Sequence, residues 1–544
     1  MIRSFKPILV LATASLSLSA CVAAINNTSY APRAGEAPSA ERVVSATAAP
    51  TRSPGKAKNV ILLISDGIGF NGWLAADYYQ GKAGAQSYQV VRPDGTRPVV
   101  LGMAHSSLNL VDEEGRLLPS ASDVELATGA VEQGYDPRTR WERFENTFAG
   151  DFAPEAKSYT TYTDSAAAGT ALMTGRKTAN GRINMDWSAN ERFRTIAQVA
   201  MDRGRAAGAI SSVMASHATP AAAIAHNVSR NNYDEIFNEM VASDLNVIMG
   251  GGHPLYDASG RPKNPEKERD YRYVGGSETL GALTSAAGLN GFAFIDAKED
   301  FEALAAGANV PERVVGIART GSTLQAGRED LLDVDTPSGM AFNPGVPDLP
   351  TMALGALNVL NRDEDGFFLM IEGGAIDWMG HANNMPRYIE EQVDFNATVD
   401  AVIAWVEANS SWEETLVIIT SDHECGGIWG EGTFTNSAGG PIAVERTPEA
   451  LTAARFNPAE DTFNGFLAVQ DRGKGNMPGY QFASGNHTNE LVPLWAIGIG
   501  SERFAQFTRT DTRARALWGE PYRWNGDFVD NTSVFQVMEM ALRE

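Results

Sequence analysis

Short stretches far apart in the chain carry its capacity for metal chemistry. Asp377-Trp378-Met379-Gly380-His381 sets a carboxylate and an imidazole four residues apart, which one helical turn brings to one face. Asp422 and His423 are adjacent, and adjacent side chains share one ion only from a loop or a strand end. His487 lies in Ser484-Gly485-Asn486-His487-Thr488-Asn489-Glu490, among small polar residues. A lone histidine is more often a satisfied core or surface residue. Three of them, in glycine-rich or strand-end contexts and near aspartate or another polar group, point to zinc, which takes His and Asp together. A nucleophile candidate accompanies them. Ser165 precedes the alanine-rich run Ala166 to Leu172, a strong helix former, so it stands at or near an N-cap. A phosphate there would meet unsatisfied N–H groups and the positive end of the helix dipole. No Gly-x-Ser-x-Gly elbow supplies a base, which leaves metal coordination as the way to activate the hydroxyl.

Strands must deliver these groups to one place. Asn59 to Ser65 is a continuous apolar run, the pattern of a strand buried on both faces, and it stops at Asp66-Gly67. The same sequence of events recurs. An amphipathic helix over 193–203 feeds a strand over 207–213 that ends before Ser216-His217-Ala218-Thr219-Pro220. A helix over 354–360 precedes a strand over 367–371 that ends at Glu372. A strand over 415–420 ends at Ser421-Asp422-His423. Ligands in open α/β sheets bind beyond the carboxyl ends of the strands, so the pattern predicts an α/β fold with a doubly wound, mostly parallel central sheet, flanked by helices and sharing one site at its edge.

Composition narrows the classes. The chain has 544 residues and a formal net charge of -23, and no basic patch that would coat nucleic acid is found. With only Cys21 and Cys425, a disulfide scaffold and a four-thiolate zinc site are excluded. Arg3 and Lys6 precede an apolar stretch, Pro7 to Leu18, too short to span a bilayer, and Leu18-Ser19-Ala20-Cys21 resembles a bacterial lipobox. The expected organisation is a signal peptide over 1–20, a disordered tether over 21–58 rich in Ala, Pro, Ser and Thr, and a catalytic domain over 59–544. Insertions near 80–150 and 256–345 are expected to shape access to the site and to offer a homodimer contact. The expected location is the periplasmic side of a bacterial membrane, anchored by a lipid on Cys21, or soluble in the periplasm. Cys425, two residues after His423, reads as a small buried thiol rather than a zinc ligand. His105, His226 and His253 receive no role.

Taken in order, Asp66-Gly67, Thr163-Asp164-Ser165-Ala166-Ala167, His217-Ala218-Thr219-Pro220-Ala221, Glu372-Gly373 with Asp377, Ser421-Asp422-His423-Glu424 and Gly485-Asn486-His487-Thr488 make the chain resemble the metal-dependent alkaline phosphatases with a serine nucleophile. The resemblance runs from about Asn59 to the C-terminus. It implies hydrolysis of phosphate monoesters through a phosphoserine at Ser165, with two zinc ions and one magnesium as cofactors. It assigns one zinc to Asp377, His381 and His487, the second to Asp66, Asp422 and His423, and the magnesium to Asp66, Thr219 and Glu372. Arg230 matches the family's phosphate-clamping arginine, whose fork takes two oxygens, and Asp164 steadies it. Two positions depart from commoner patterns. His217 stands where some members have an aspartate on the third metal and would contact a metal-bound water instead. Trp378 stands where Lys or His often touches phosphate through water. The competing readings are a phosphodiesterase or sulfatase on the same framework, and a lipid-anchored zinc- or phosphate-binding protein without turnover; Asp164-Ser165-Ala166 with Arg230 favours monoesters.

Overall fold

The computed structural model describes residues 56–118, 124–132, 134–135, 162–329, 336–431 and 467–543, within a unit spanning Ser53–Glu544. The expected signal peptide, Cys21 and nearly all of the tether lie outside the described residues.

The first apolar run forms the strand Asn59–Ser65 at the middle of an 11-stranded sheet. It pairs in parallel with Phe367–Gly373 on one side and Thr415–Thr420 on the other, and Ala206–Met214 continues the parallel set beyond Phe367–Gly373. Val60, Leu62 and Ile64 point into one hydrophobic layer and Ile61 and Leu63 into the other, all of them buried. Strand side chains alternate faces, so a strand covered on both sides must be apolar throughout. Burying each such side chain contributes roughly 1.5–3 kcal/mol, which is why the runs are uninterrupted. Helices Phe70–Gln80, Leu349–Leu360 and Met385–Asn409 cover the face of Ile61 and Leu63, while Ser165–Thr174, Ile196–Met201 and Thr532–Arg543 cover the other.

Register decides where the chemistry falls. Ile64 lies opposite both Glu372 and Thr420, so Asp66, Glu372 and Asp422 emerge together at the carboxyl edge. The run Val492–Gly498 pairs antiparallel with Thr415–Thr420, Leu494 opposite Thr420. An antiparallel strand starts where its neighbour ends, so His487, just before it, reaches the same edge.

Three expectations change. The helix expected over 193–203 is Ile196–Met201, because Thr195 caps it in a reciprocal box with Gln198. The helix expected over 354–360 begins at Leu349, capped by Asp348 with Pro350 in its first turn. The segments read as insertions also build the sheet: Val99–Ala104 pairs with Val492–Gly498, and Val314–Ile317 and Ala293–Ile295 extend the opposite side. The last two, of four and three residues, carry too few side chains to show a period.

Candidate active site and metal centre

The turn after the first strand is built for close approach. Gly67 sits at φ +73, and a Cβ there would lie 2.6 Å from the Asp377 Cα, so only glycine lets the two segments meet. The Gly67 and Ile68 N–H groups donate to Asp422 Oδ1 (3.2 Å) and Ser421 Oγ (3.0 Å), locking two strand ends together.

Asp377 and His381 lie in the helix Ala375–His381, on one face as their spacing predicts. Opposite them stands His487. His487 Nδ1 donates to the Thr163 carbonyl (2.8 Å) and His381 Nδ1 to the Gly485 carbonyl (2.7 Å). Carbonyls only accept, so each ring spends its Nδ1 proton there and turns its Nε2 toward the other. Those two Nε2 atoms face each other at 3.1 Å, with Asp377 Oδ1 3.3 Å from one and Oδ2 3.5 Å from the other. Two Nε2 atoms at that distance need a shared proton or a cation between them, and carbonyl-anchored imidazoles are the usual posture of metal ligands.

A second cluster adjoins. His423 Nε2 is 3.1 Å from Asp422 Oδ2, 3.6 Å from Asp66 Oδ1 and 3.3 Å from Ser165 Oγ. The His423 and His487 rings stack at 3.6 Å, which joins the clusters. Thr219 Oγ1 donates to Asp66 Oδ2 (3.2 Å), and Glu372 comes within hydrogen-bonding reach of Asp66 and Thr219. Every residue proposed from the sequence as a metal ligand is therefore in one contiguous site.

Electrostatics test whether metal fits. Asp66 Oδ1, Asp377 Oδ1, Asp422 Oδ2 and Glu372 Oε1 are buried without a hydrogen-bond partner. Burial, then the charges of Asp422, Asp377 and Glu372, push Asp66 well above the carboxylate range. Burial and Asp377 raise Asp422 to about 7. Burial acts against Asp377 too, but the adjoining imidazoles of His487 and His381 hold it below its ordinary value. Burial, then His487, pushes His423 well below its ordinary value. Partnerless buried anions are costly, and divalent cations are what such oxygen and nitrogen sets accept. The donor set fits metal.

Ser165 is not the cap. It is the first residue of its helix, and Asp164 is the N-cap, accepting from Ala167 N–H at 2.9 Å. The other Asp164 oxygen accepts from Arg230 Nη1 (3.0 Å) and Gly181 N–H (3.0 Å), while Gly181 C=O accepts from Arg230 N–H (2.8 Å). One carboxylate thus fixes both the nucleophile's helix and the guanidinium. Asp164→Ala is expected to lower stability by about 1–2 kcal/mol through loss of the cap and to weaken inhibition by inorganic phosphate. Asp164→Asn should restore most of the melting temperature but not the phosphate affinity, which thermal melts and inhibition constants will separate.

His217 and Trp378 line this space side by side, ring centroids 5.8 Å apart. Burial and Arg230 lower His217 to about 3, so it is neutral. Neither side chain brings a charge to phosphate. Trp378→Lys is expected to tighten inhibition by inorganic phosphate roughly tenfold, measured against a chromogenic substrate; unchanged inhibition would remove Trp378 from the phosphate's surroundings. The His381 side chain is 39% exposed, which marks the open side of an otherwise buried site.

Some participants escaped the sequence reading. Ser211, opposite Glu372 in the sheet, donates its hydroxyl to Glu372. Glu424 accepts from Thr488, Gly427 N–H and Ile428 N–H. Both looked like strand or turn residues, and only the register reveals their partners. Of the histidines without a role, His105 lies behind His423 at 6.4 Å, whereas His226 binds the Phe193 carbonyl and His253 pairs with Asp296.

Comparison with known proteins agrees with this geometry. The sequence profile of the family described as alkaline phosphatase matches residues 133–509. Alkaline phosphatase 4 of Bacillus subtilis is 29% identical over 392 residues, covering 65% of this chain and 76% of that protein. Alkaline phosphatase from the Antarctic bacterium TAB5 superposes with a TM-score of 0.52 at 22% identity, covering 90% of this chain and 99% of its own. A histidine-to-glutamate variant of the TAB5 enzyme with magnesium bound in its M3 site gives 0.50 at 20% identity, with coverages of 90% and 99%. With a sheet edge of metal-binding residues, a serine at a helix N-terminus and a profile match over most of its length, the chain belongs to the alkaline phosphatase family and is a phosphatase.

Proposed function

We propose that this chain hydrolyses phosphate monoesters through a phosphoserine at Ser165, using two zinc ions and one magnesium. The observation that carries the reading is the position of Ser165 Oγ, 3.3 Å from His423 Nε2, among partnerless buried carboxylates and at a helix N-terminus. Asp377, His381 and His487 would hold one zinc, Asp66, Asp422 and His423 the other, and Asp66, Thr219 and Glu372 the magnesium. Magnesium in the M3 site of the TAB5 variant supports a third site on this framework. When bound, such cations lower the pKa of a hydroxyl or water and stabilise charge on attacking and leaving oxygens.

The chain's own groups do the positioning. Ser165 Oγ gives its proton to water and bonds to phosphorus as the phosphorus–ester oxygen bond breaks, and the leaving oxygen takes a proton from water to depart as the alcohol. Arg230, held by Asp164, takes two non-bridging oxygens, and the N–H groups of Ser165 and Ala166 at the helix start face the third. Water then attacks the phosphoserine from the side the alcohol left, which returns Ser165 and releases phosphate. The sequence from Arg3 to Cys21 supports export and lipid attachment at Cys21 as part of this proposal. Among the described residues no helix is long and apolar enough to cross a membrane.

The test compares p-nitrophenyl phosphate, its bis ester and the sulfate ester before and after chelation. Activity on the monoester that chelator removes and zinc restores is expected. Preference for the bis or sulfate ester would replace the reading with a diesterase or sulfatase.

A further inference from the structure

We propose that the Cys425 sulfur is a further donor to the cation held by Asp377, His381 and His487, giving that site mixed carboxylate, imidazole and thiolate ligation. The inference rests on the metal-dependent reading above and refines its most open site.

The geometry points to the sulfur from independent directions. Asp377, His381, Cys425 and His487 each present a ligand atom, and these atoms all lie within 4.8 Å of one another. Cys425 is fully buried, and the short antiparallel ladder of Glu424–Cys425 with His487–Thr488 sets Cys425 directly opposite His487. Gly380, immediately before His381, makes room for it. A Cβ built there would stand 3.1 Å from the sulfur, so glycine lets the thiol lie against the helix that carries both Asp377 and His381. Within the same cluster Asp377 Oδ1 is buried without a hydrogen-bond partner, and the two imidazole Nε2 atoms converge at 3.1 Å. A cysteine acting as a small hydrophobe packs among apolar side chains. This one faces a carboxylate and an imidazole. It is a free cysteine, with no bridge that would occupy its sulfur.

Ligation needs no oxidant. The S–H bond breaks heterolytically, a sulfur–metal bond forms, and the proton leaves to water. Thiolate favours zinc, cobalt and cadmium over magnesium and calcium, so the Asp377 site becomes the thiophilic member of the set, while Asp66, Thr219 and Glu372 offer oxygen alone.

The test uses the full chain with Cys21→Ser, which leaves Cys425 as its only thiol, stripped by chelator and reloaded with cobalt(II) or with cadmium. A sulfur-to-cobalt charge-transfer band in the near ultraviolet is expected, and it should vanish in Cys425→Ser at equal cobalt content. Cadmium NMR needs no variant at Cys425: one resonance should fall in the thiolate range, apart from any other. Cys425→Ser should also weaken cadmium retention by about tenfold or more. Cobalt and cadmium bound stoichiometrically, with no sulfur band and with resonances only in the nitrogen and oxygen range, would overturn the thiolate assignment and leave the metal-dependent reading standing. A chain that retains no metal yet hydrolyses phosphate monoesters would overturn both.

Discussion

Replacing Ser165 with alanine is expected to lower turnover of phosphate monoesters by on the order of 10³-fold or more, without loss of stability. The two halves of that expectation come from different parts of the structure. Turnover falls because Ser165 Oγ is the hydroxyl beside His423 Nε2, at 3.3 Å, and at the N-terminus of a buried helix. Stability holds because Asp164, not Ser165, caps that helix. A capping serine would cost about 0.5–2 kcal/mol on truncation, whereas alanine at the first helical position is a better helix former than serine. Steady-state kinetics and a thermal melt of the same preparation separate the outcomes. Retained turnover would remove Ser165 as nucleophile, and a lowered melting temperature would mean that its hydroxyl is structural.

Chelation is expected to abolish activity and to lower the melting temperature by several degrees, more so at higher pH. Metal bound only by the folded chain stabilises it by mass action, about 4 kcal/mol at a thousandfold excess over Kd. The pH dependence follows from the carboxylates left behind. In the metal-free chain burial and Asp377 raise Asp422 to about 7, against about 4 when unfolded. A raised carboxyl binds its proton more tightly folded than unfolded. Its contribution is complete below about pH 4 and is lost as pH rises through about 7. Asp66 is raised in the same direction by burial and by Asp422, Asp377 and Glu372. Metal holds these groups ionised throughout that window, so the gap between loaded and stripped protein should widen from about pH 5 to about pH 8. Differential scanning calorimetry across that range measures it. A gap independent of pH would contradict the assignment of Asp66 and Asp422 as ligands.

The sequence made the central strands legible because they are buried on both faces. From Val60 to Ile64 and from Leu416 to Ile419 no polar residue interrupts the strands, and just beyond their ends stand Asp66 and Asp422. His487 was legible by type and neighbours, but its arrival at the same edge depends on the antiparallel pairing of Val492–Gly498, which an apolar run does not encode. Ser211 was invisible, since a serine within a strand acquires meaning only from what lies opposite it, here Glu372. The short strands Ala293–Ile295 and Val314–Ile317 fall inside the expected insertion because their partners, not their own periodicity, make them strands of the sheet. Asp164 is expected from the sequence to act on Arg230 alone; its second task, capping the helix, sets Ser165 beside the cap as the first helical residue.

The most direct measurement is acid quenching of the enzyme during turnover of a phosphate monoester, followed by peptide mapping. Phosphate on Ser165 that is absent from the chelated enzyme and from Ser165→Ala is the predicted result. Turnover at the same rate with no phosphorylated Ser165 under any quench condition would contradict the account.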